Sequence, residues 1–155
     1  MVDVADEHFE VWVKYHKAFE KYKRLQTKPR NWAMDVRVYW GDAGTGKTRR
    51  AFEEFPNAYI KPHGKWWDDY DGQECVILDD FYGWLPWSFM LQLLDRYPLQ
   101  VETKGGSVQF TSKVIIITSN VDTCGWYDFD SKPHMKIEAL ERRISSKVHF
   151  NSVFC

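Results

Sequence analysis

The stretch Gly41-Asp42-Ala43-Gly44-Thr45-Gly46-Lys47-Thr48 constrains this chain more than any other feature. It lies between a β-rich run, Val36 to Trp40, and a helix-forming run, Thr48 to Phe55, that Pro56 stops. A strand that turns straight into a helix through a glycine-rich loop aims its backbone N–H groups at one spot. That spot is also the positive end of the helix. The ligand suited to it is a polyphosphate. The amides of residues 41–48 cradle the phosphates, Lys47 neutralises β and γ oxygens, and Thr48 offers its hydroxyl to Mg²⁺. The expectation is a protein that binds and hydrolyses a nucleoside triphosphate with Mg²⁺.

Strand and helix patterns keep alternating after the loop. Ala58 to Lys61 reads as a short strand, and Cys75-Val76-Ile77-Leu78 as a fully apolar one ending at Asp79-Asp80. Pro86 to Tyr97 reads as a helix. Leu99 to Glu102 and Ser107 to Phe110 read as a hairpin around Lys104-Gly105-Gly106. Val114 to Ile117 reads as a buried strand, Lys136 to Ser145 as a helix and Lys147 to Phe150 as a last strand. Strands apolar on both faces, separated by helices, predict an α/β fold with a mostly parallel sheet flanked by helices. Before the loop, Phe9, Trp12, Val13, His16, Phe19, Tyr22 and Leu25 form one stripe of an amphipathic helix, which Lys28-Pro29 ends. That stripe suits either packing on the main domain or association between subunits.

Composition narrows the function classes. A formal net charge of −1 excludes a uniformly basic nucleic-acid coat, so any nucleic-acid site is local. Three scattered cysteines without a CxxC pair argue against a zinc site or a disulfide framework, and fit a reducing compartment. No apolar run has the length of a membrane span. Aromatics reach 17%, with eight Trp, more than a core of this size demands.

Four further motifs carry chemistry. Asp79, at a strand end, suits a carboxylate that shares the Mg²⁺ with Thr48, and Asp80 suits activation of the attacking water. Asn120, closing Ile117-Thr118-Ser119-Asn120, suits orientation of water or contact with the γ-phosphate, though Asn also starts ordinary turns. Lys104 with Gly105 and Gly106 offers a cation and amides to a phosphodiester chain, or forms a plain hairpin tip. Arg142-Arg143 suits a finger reaching a neighbour's γ-phosphate, or a basic helix C-terminus. The block Trp66-Trp67-Asp68-Asp69-Tyr70 is open between subunit contact, base stacking and core, with packing favoured.

Taken in order, Lys61-Pro62, Lys65-Trp66-Trp67-Asp68, Asp79 through Trp87, Asp95-Arg96-Tyr97-Pro98, Val101 through Gly106 and Ile117 through Asn120 resemble one family. It is the superfamily 3 helicase domain of circovirus-type replication-associated (Rep) proteins, from viruses with circular single-stranded DNA. The resemblance covers residues 31–150 and extends less specifically to the helix before them. It implies a P-loop NTPase of AAA+-like fold, with residues 1–30 a helical oligomerisation segment and 31–155 the ATPase domain. It implies ATP and Mg²⁺, a homo-hexameric ring, and single-stranded DNA threaded through its centre in the 3′ to 5′ direction.

Within that resemblance, Gly41 to Thr48 is the Walker A loop and Asp79-Asp80 the Walker B pair. Asn120 is the residue called sensor 1, and Lys104, Gly105 and Gly106 fall on the pore hairpin. Arg142 and Arg143 fall where the finger lies, without a choice between them. The resemblance also implies a viral protein of the host nucleus. It departs in one respect: the origin-nicking endonuclease domain, with its tyrosine and His-hydrophobic-His motif, is absent from this sequence. The expectation is therefore the helicase portion of a longer protein. The rival expectations are an ATP-dependent scaffold that does not unwind DNA, and an RNA-directed superfamily 3 helicase.

Overall fold

The computed structural model describes residues 26–151, with Ala18 and Tyr22 before them. Apart from those two positions, the amphipathic run of residues 8–25, and so most of the 1–30 segment, lies outside the described residues. In chain order the elements are β1 (Asp35–Gly41), α1 (Lys47–Glu54), β2 (Tyr59–Ile60), β3 (Cys75–Leu78), α2 (Trp87–Leu94), β4 (Gln100–Thr103), β5 (Gly106–Gln109), β6 (Val114–Ser119), α3 (Ile137–Glu141) and β7 (Ser146–Phe150). Five strands make one all-parallel sheet in the order β2-β3-β6-β1-β7, and β4 and β5 form a separate antiparallel hairpin.

β3 and β6, at the middle of the sheet, are buried along their whole length because both faces are covered. Val36, Val38, Val76, Leu78, Ile115 and Ile117 point into one core with Met90, Leu93 and Leu94 of α2 and Leu140 of α3. Tyr39, Cys75, Ile77, Val114 and Ile116 point to the other side, against Ala51 of α1. This is the period-two division that a parallel sheet imposes on its strands. Among the described residues no helix is long and apolar enough to cross a membrane.

Two helices end earlier than the sequence pattern predicts, for reasons that lie far away in the chain. α2 stops at Leu94, where Asp95 turns extended. Arg30, a fully buried residue, binds this end of the helix: Nη2 donates to Gln92 O (2.8 Å), Nη1 to Leu93 O (2.8 Å) and Nε to Tyr97 O (2.9 Å) just beyond it. A guanidinium at a helix C-terminus satisfies the orphan carbonyls and opposes the negative end of the dipole. α3, expected to run from Lys136 to Ser145, is only five residues long. Ser145 instead exchanges hydrogen bonds with β1, N–H to Val36 O (2.8 Å) and Oγ from Val36 N (3.0 Å), which starts β7 beside it. Arg142 and Arg143 thus sit in a turn past the helix, not in its last turn.

Candidate nucleotide-binding site and hairpin

The parallel register brings the C-terminal ends of the three central strands together. Leu78 pairs with Ile117 and Trp40 with Ser119, so Gly41, Asp79 and Asn120 follow at one edge of the sheet. Open α/β sheets bind ligands at such an edge. Gly41 is required there: a Cβ at that position would meet Phe150 O at 2.0 Å. The loop then passes through Gly46, whose φ of 88° puts it in the left-handed region and starts α1 without a side-chain cap. The first-turn N–H groups of α1 thus lack a side-chain acceptor, and no acidic residue lies in that turn. Orphan donors at a positive helix end fit a phosphate.

Lys47 is buried beneath the loop. Its Nζ donates to Gly41 O and Asp42 O, both at 2.7 Å, and lies 3.4 Å from Asn120 Oδ1. Burial pushes its ammonium below the ordinary range, against the pull of Asp42, Asp80 and Asp79. The Thr45 hydroxyl ties the loop to Asp42 O at 2.7 Å. Gly44 and Ala43 are exposed on the outer side of the loop.

Thr48 Oγ1 donates to Asp79 Oδ1 at 2.7 Å, and Thr118 Oγ1 donates to the same oxygen at 2.7 Å. Thr118 Oγ1 also accepts from Asp80 N at 2.9 Å. A carboxylate and two hydroxyls converging on one spot are hard oxygen donors, the set that suits Mg²⁺. Asp80 adopts φ 51°, uncommon for a residue with a Cβ, and its side chain is exposed at the strand end. The residues expected to hold triphosphate and ion are therefore gathered at one edge.

The arginine pair divides. Arg143 Nη1 donates to Ala139 O (2.6 Å) and Nη2 pairs with Asp95 Oδ2 (3.1 Å), with its side chain only 15% exposed. Arg142 is exposed and makes no ion pair among the described residues. The turn that carries it is held by Lys147, whose Nζ lies 2.9 Å from Glu141 Oε1 and 3.1 Å from Asp122 Oδ1.

Lys104 stands at the hairpin tip, away from this edge. Thr103 pairs with Gly106, leaving Lys104-Gly105 as a two-residue connection in which Gly105 takes φ 102°. The tip is exposed. The aromatic block also splits: Trp67 is fully buried among Tyr59, Tyr70, Phe89 and Phe110, while Trp66 is exposed with Lys65 Nζ 4.5 Å from its ring centre.

Thr118, Lys61 and Trp84 lie within the motifs without a role that their residue type announces, and no pattern singles out His63. For Thr118 the available signal was strand register. If Leu78 opposes Ile117, the residue after each must meet, and one is Asp79. Lys61, His63 and Trp84 had no such signal.

Comparison with known proteins follows the same lines. A family model described as RNA helicase matches residues 37–121, over half of the chain. The replication-associated protein of goose circovirus is 45% identical over 148 residues, covering 94% of this chain and 49% of that protein. That of porcine circovirus 2 is 43% identical over 157 residues, covering 98% and 49%. That of beak and feather disease virus is 48% identical over 136 residues, covering 86% and 47%. The chain spans about half the length of these curated relatives. Among solved structures, the S. cerevisiae Hsp104-ADP complex superposes with a TM-score of 0.51 at 16% identity, over 92% of this chain and 26% of that one. At that identity the likeness shows the fold alone, a P-loop NTPase of AAA+ type. With 85 consecutive residues matched and the phosphate loop, acidic pair and Asn120 inside or at the edge of that stretch, the chain belongs to the RNA helicase family as a superfamily 3 helicase domain of the circovirus replication-associated kind.

Proposed function

We propose that this chain is an ATP-hydrolysing helicase domain that works as a homo-hexameric ring around single-stranded DNA. The observation that carries the reading is the meeting of Thr48 and Asp79 at the mouth of an uncapped phosphate loop. In the proposed cycle Lys47 leaves the carbonyls of Gly41 and Asp42 for phosphate oxygens. The amides of Gly44 to Thr48 take the remaining phosphate charge. Mg²⁺, held by Thr48 Oγ1 and the Asp79 carboxylate, would neutralise charge on the phosphate oxygens. Asp80 and Asn120 orient the attacking water, and Asp80 accepts its proton.

Arg142 is the finger in this reading, offered to the nucleotide of the neighbouring subunit. Arg143 is committed to Asp95 within its own subunit, so it does not compete for that role. Lys104, Gly105 and Gly106 grip the phosphodiester chain in the pore. A subunit alone then binds ATP yet hydrolyses it poorly, because half of the site belongs to its neighbour.

The description of the matching family favours one second reading, an RNA duplex as substrate. Strand displacement on DNA and RNA duplexes of equal sequence, with ATP and Mg²⁺, separates the cases. DNA unwinding abolished by Lys47→Ala supports the proposal. RNA unwinding alone supports the second reading. Neither, with ATP still hydrolysed, supports a scaffold.

A further inference from the structure

The acidic pair and the hairpin tip are joined by a short strap, residues 61–68, that the proposed function leaves without a role. At one end, His63 Nε2 lies 3.2 Å from Asp79 O, and Trp84 Nε1 donates to Asp80 O at 3.3 Å. The His63 and Trp84 rings stack at 4.2 Å and 23°. One aromatic pair thus holds two successive carbonyls of the acidic pair. At the other end, Trp67 N donates to Glu102 O on β4 at 2.8 Å. Asp68 Oδ1 accepts from Lys104 N at 2.9 Å, and Asp68 Oδ2 lies 3.9 Å from Lys104 Nζ.

Between the ends sits Lys61, 1% exposed. All three protons of its ammonium are spent on the strap itself: Pro62 O at 2.6 Å, Gly64 O at 2.7 Å and Trp66 O at 2.9 Å. The same ammonium lies 5.7 Å from the Trp84 ring centre and 5.3 Å from that of Trp67. It therefore bridges the indole on the acidic-pair side and the indole on the hairpin side. Burial pushes its titration down to about 8, with Asp68 pulling the other way. Three carbonyls converging on one cation tie the strap to itself. Beside its far end lies a cleft of about 640 Å³, bordered by Asp68, Tyr70, Thr103, Lys104 and Val108.

We propose that this Lys61-centred strap transmits the state of Asp79-Asp80 to the Lys104 hairpin, with His63 and Asp68 as the positioning residues at its two ends. The inference rests on the reading of Lys104 as a DNA contact. A change at the acidic pair shifts the His63–Trp84 stack, the strap follows, and Asp68 re-aims the backbone of Lys104. Coupling of this kind is reciprocal: nucleotide tightens DNA by the same factor as DNA tightens nucleotide.

The test measures that factor in the full chain, with a non-hydrolysable ATP analogue, Mg²⁺ and a fluorescent oligo-dT strand. Each affinity is determined with and without the other ligand. His63→Phe keeps a ring against Trp84 but loses the bond to Asp79 O, and Asp68→Ala loses the bond to Lys104 N. Both should leave each ligand's affinity alone within about threefold while the coupling factor falls close to one. Asp68→Asn, which keeps an acceptor for Lys104 N–H, should restore most of it. A purely structural role would change stability but not this ratio. A wild-type factor of one, or a wild-type factor retained in both variants, overturns the strap. Lys104→Ala in the same series isolates the underlying reading: if it leaves DNA affinity unchanged, the hairpin is not the DNA contact, whatever the strap does.

Discussion

At the phosphate loop the polar groups are already engaged with one another, whereas at the hairpin tip they face solvent. Lys47 is buried on two carbonyls, and Thr48 and Thr118 share one oxygen of Asp79. Lys104, 73% exposed, has only Asp68 as an ion-pair partner among the described residues, at 3.9 Å. An exposed pair at that distance contributes at most about 1 kcal/mol. The first region is pre-organised, so a ligand exchanges one set of partners for another without building new geometry. The second gives up almost nothing when a phosphodiester approaches, which suits a contact made and broken repeatedly along a strand. Electrostatic pre-organisation belongs where chemistry occurs, and loose, exposed cations belong where the polymer slides.

Substitutions should respect this contrast. The largest effect is expected for Lys47→Ala, which removes the cation beneath the loop. ATP hydrolysis measured by phosphate release should fall by about a thousandfold or more. Retention of a tenth of the activity would break the first half of the comparison. Arg142→Ala should cost nearly as much, about a hundred- to a thousandfold in turnover, with nucleotide affinity of the isolated subunit unchanged. Arg143→Ala should act differently. It removes the Asp95 pairing and the bond to Ala139 O and should lower stability by roughly 1–3 kcal/mol in denaturant titration.

Thr118→Val sharpens the account of the ion site. It removes the second hydroxyl on Asp79 Oδ1 and the acceptor for Asp80 N. The Mg²⁺ concentration for half-maximal ATPase should rise by about ten- to a hundredfold. The smallest expected effect is at the hairpin. Lys104→Ala should weaken single-stranded DNA binding by about tenfold at low salt and reduce the slope of log affinity against log salt by roughly one. ATP affinity should not move. An unchanged salt slope would remove Lys104 from the polymer contact.

The phosphate loop was legible in the sequence because its chemistry is local: eight consecutive residues supply loop, cation and hydroxyl. The apolar strands were legible because parallel sheets bury both faces, and Val114 to Ile117 has no other place to go. What stayed illegible depended on partners far along the chain. Arg142 and Arg143 are neighbours of identical type, and it is Asp95, 48 residues away, that takes Arg143 into an ion pair. α3 looked longer than it is because nothing local announces that Ser145 must join Val36. Trp66 and Trp67 alternate between solvent and core, as adjacent residues of an extended segment do. Lys61 ends a short strand in the sequence pattern and nothing local announces its burial, whereas the fold buries it on three carbonyls.

The central claim is that one ATP site is completed by two subunits, and mixing inactive variants tests it most directly. Lys47→Ala lacks the loop cation but keeps Arg142, and Arg142→Ala is the reverse. In randomly mixed rings with single-stranded DNA, about a quarter of the interfaces join an intact loop to an intact finger. The account predicts that ATPase activity, absent from either variant alone, returns on mixing to at most about that fraction of wild type. Mixtures that form rings yet stay as inactive as their parents would contradict it.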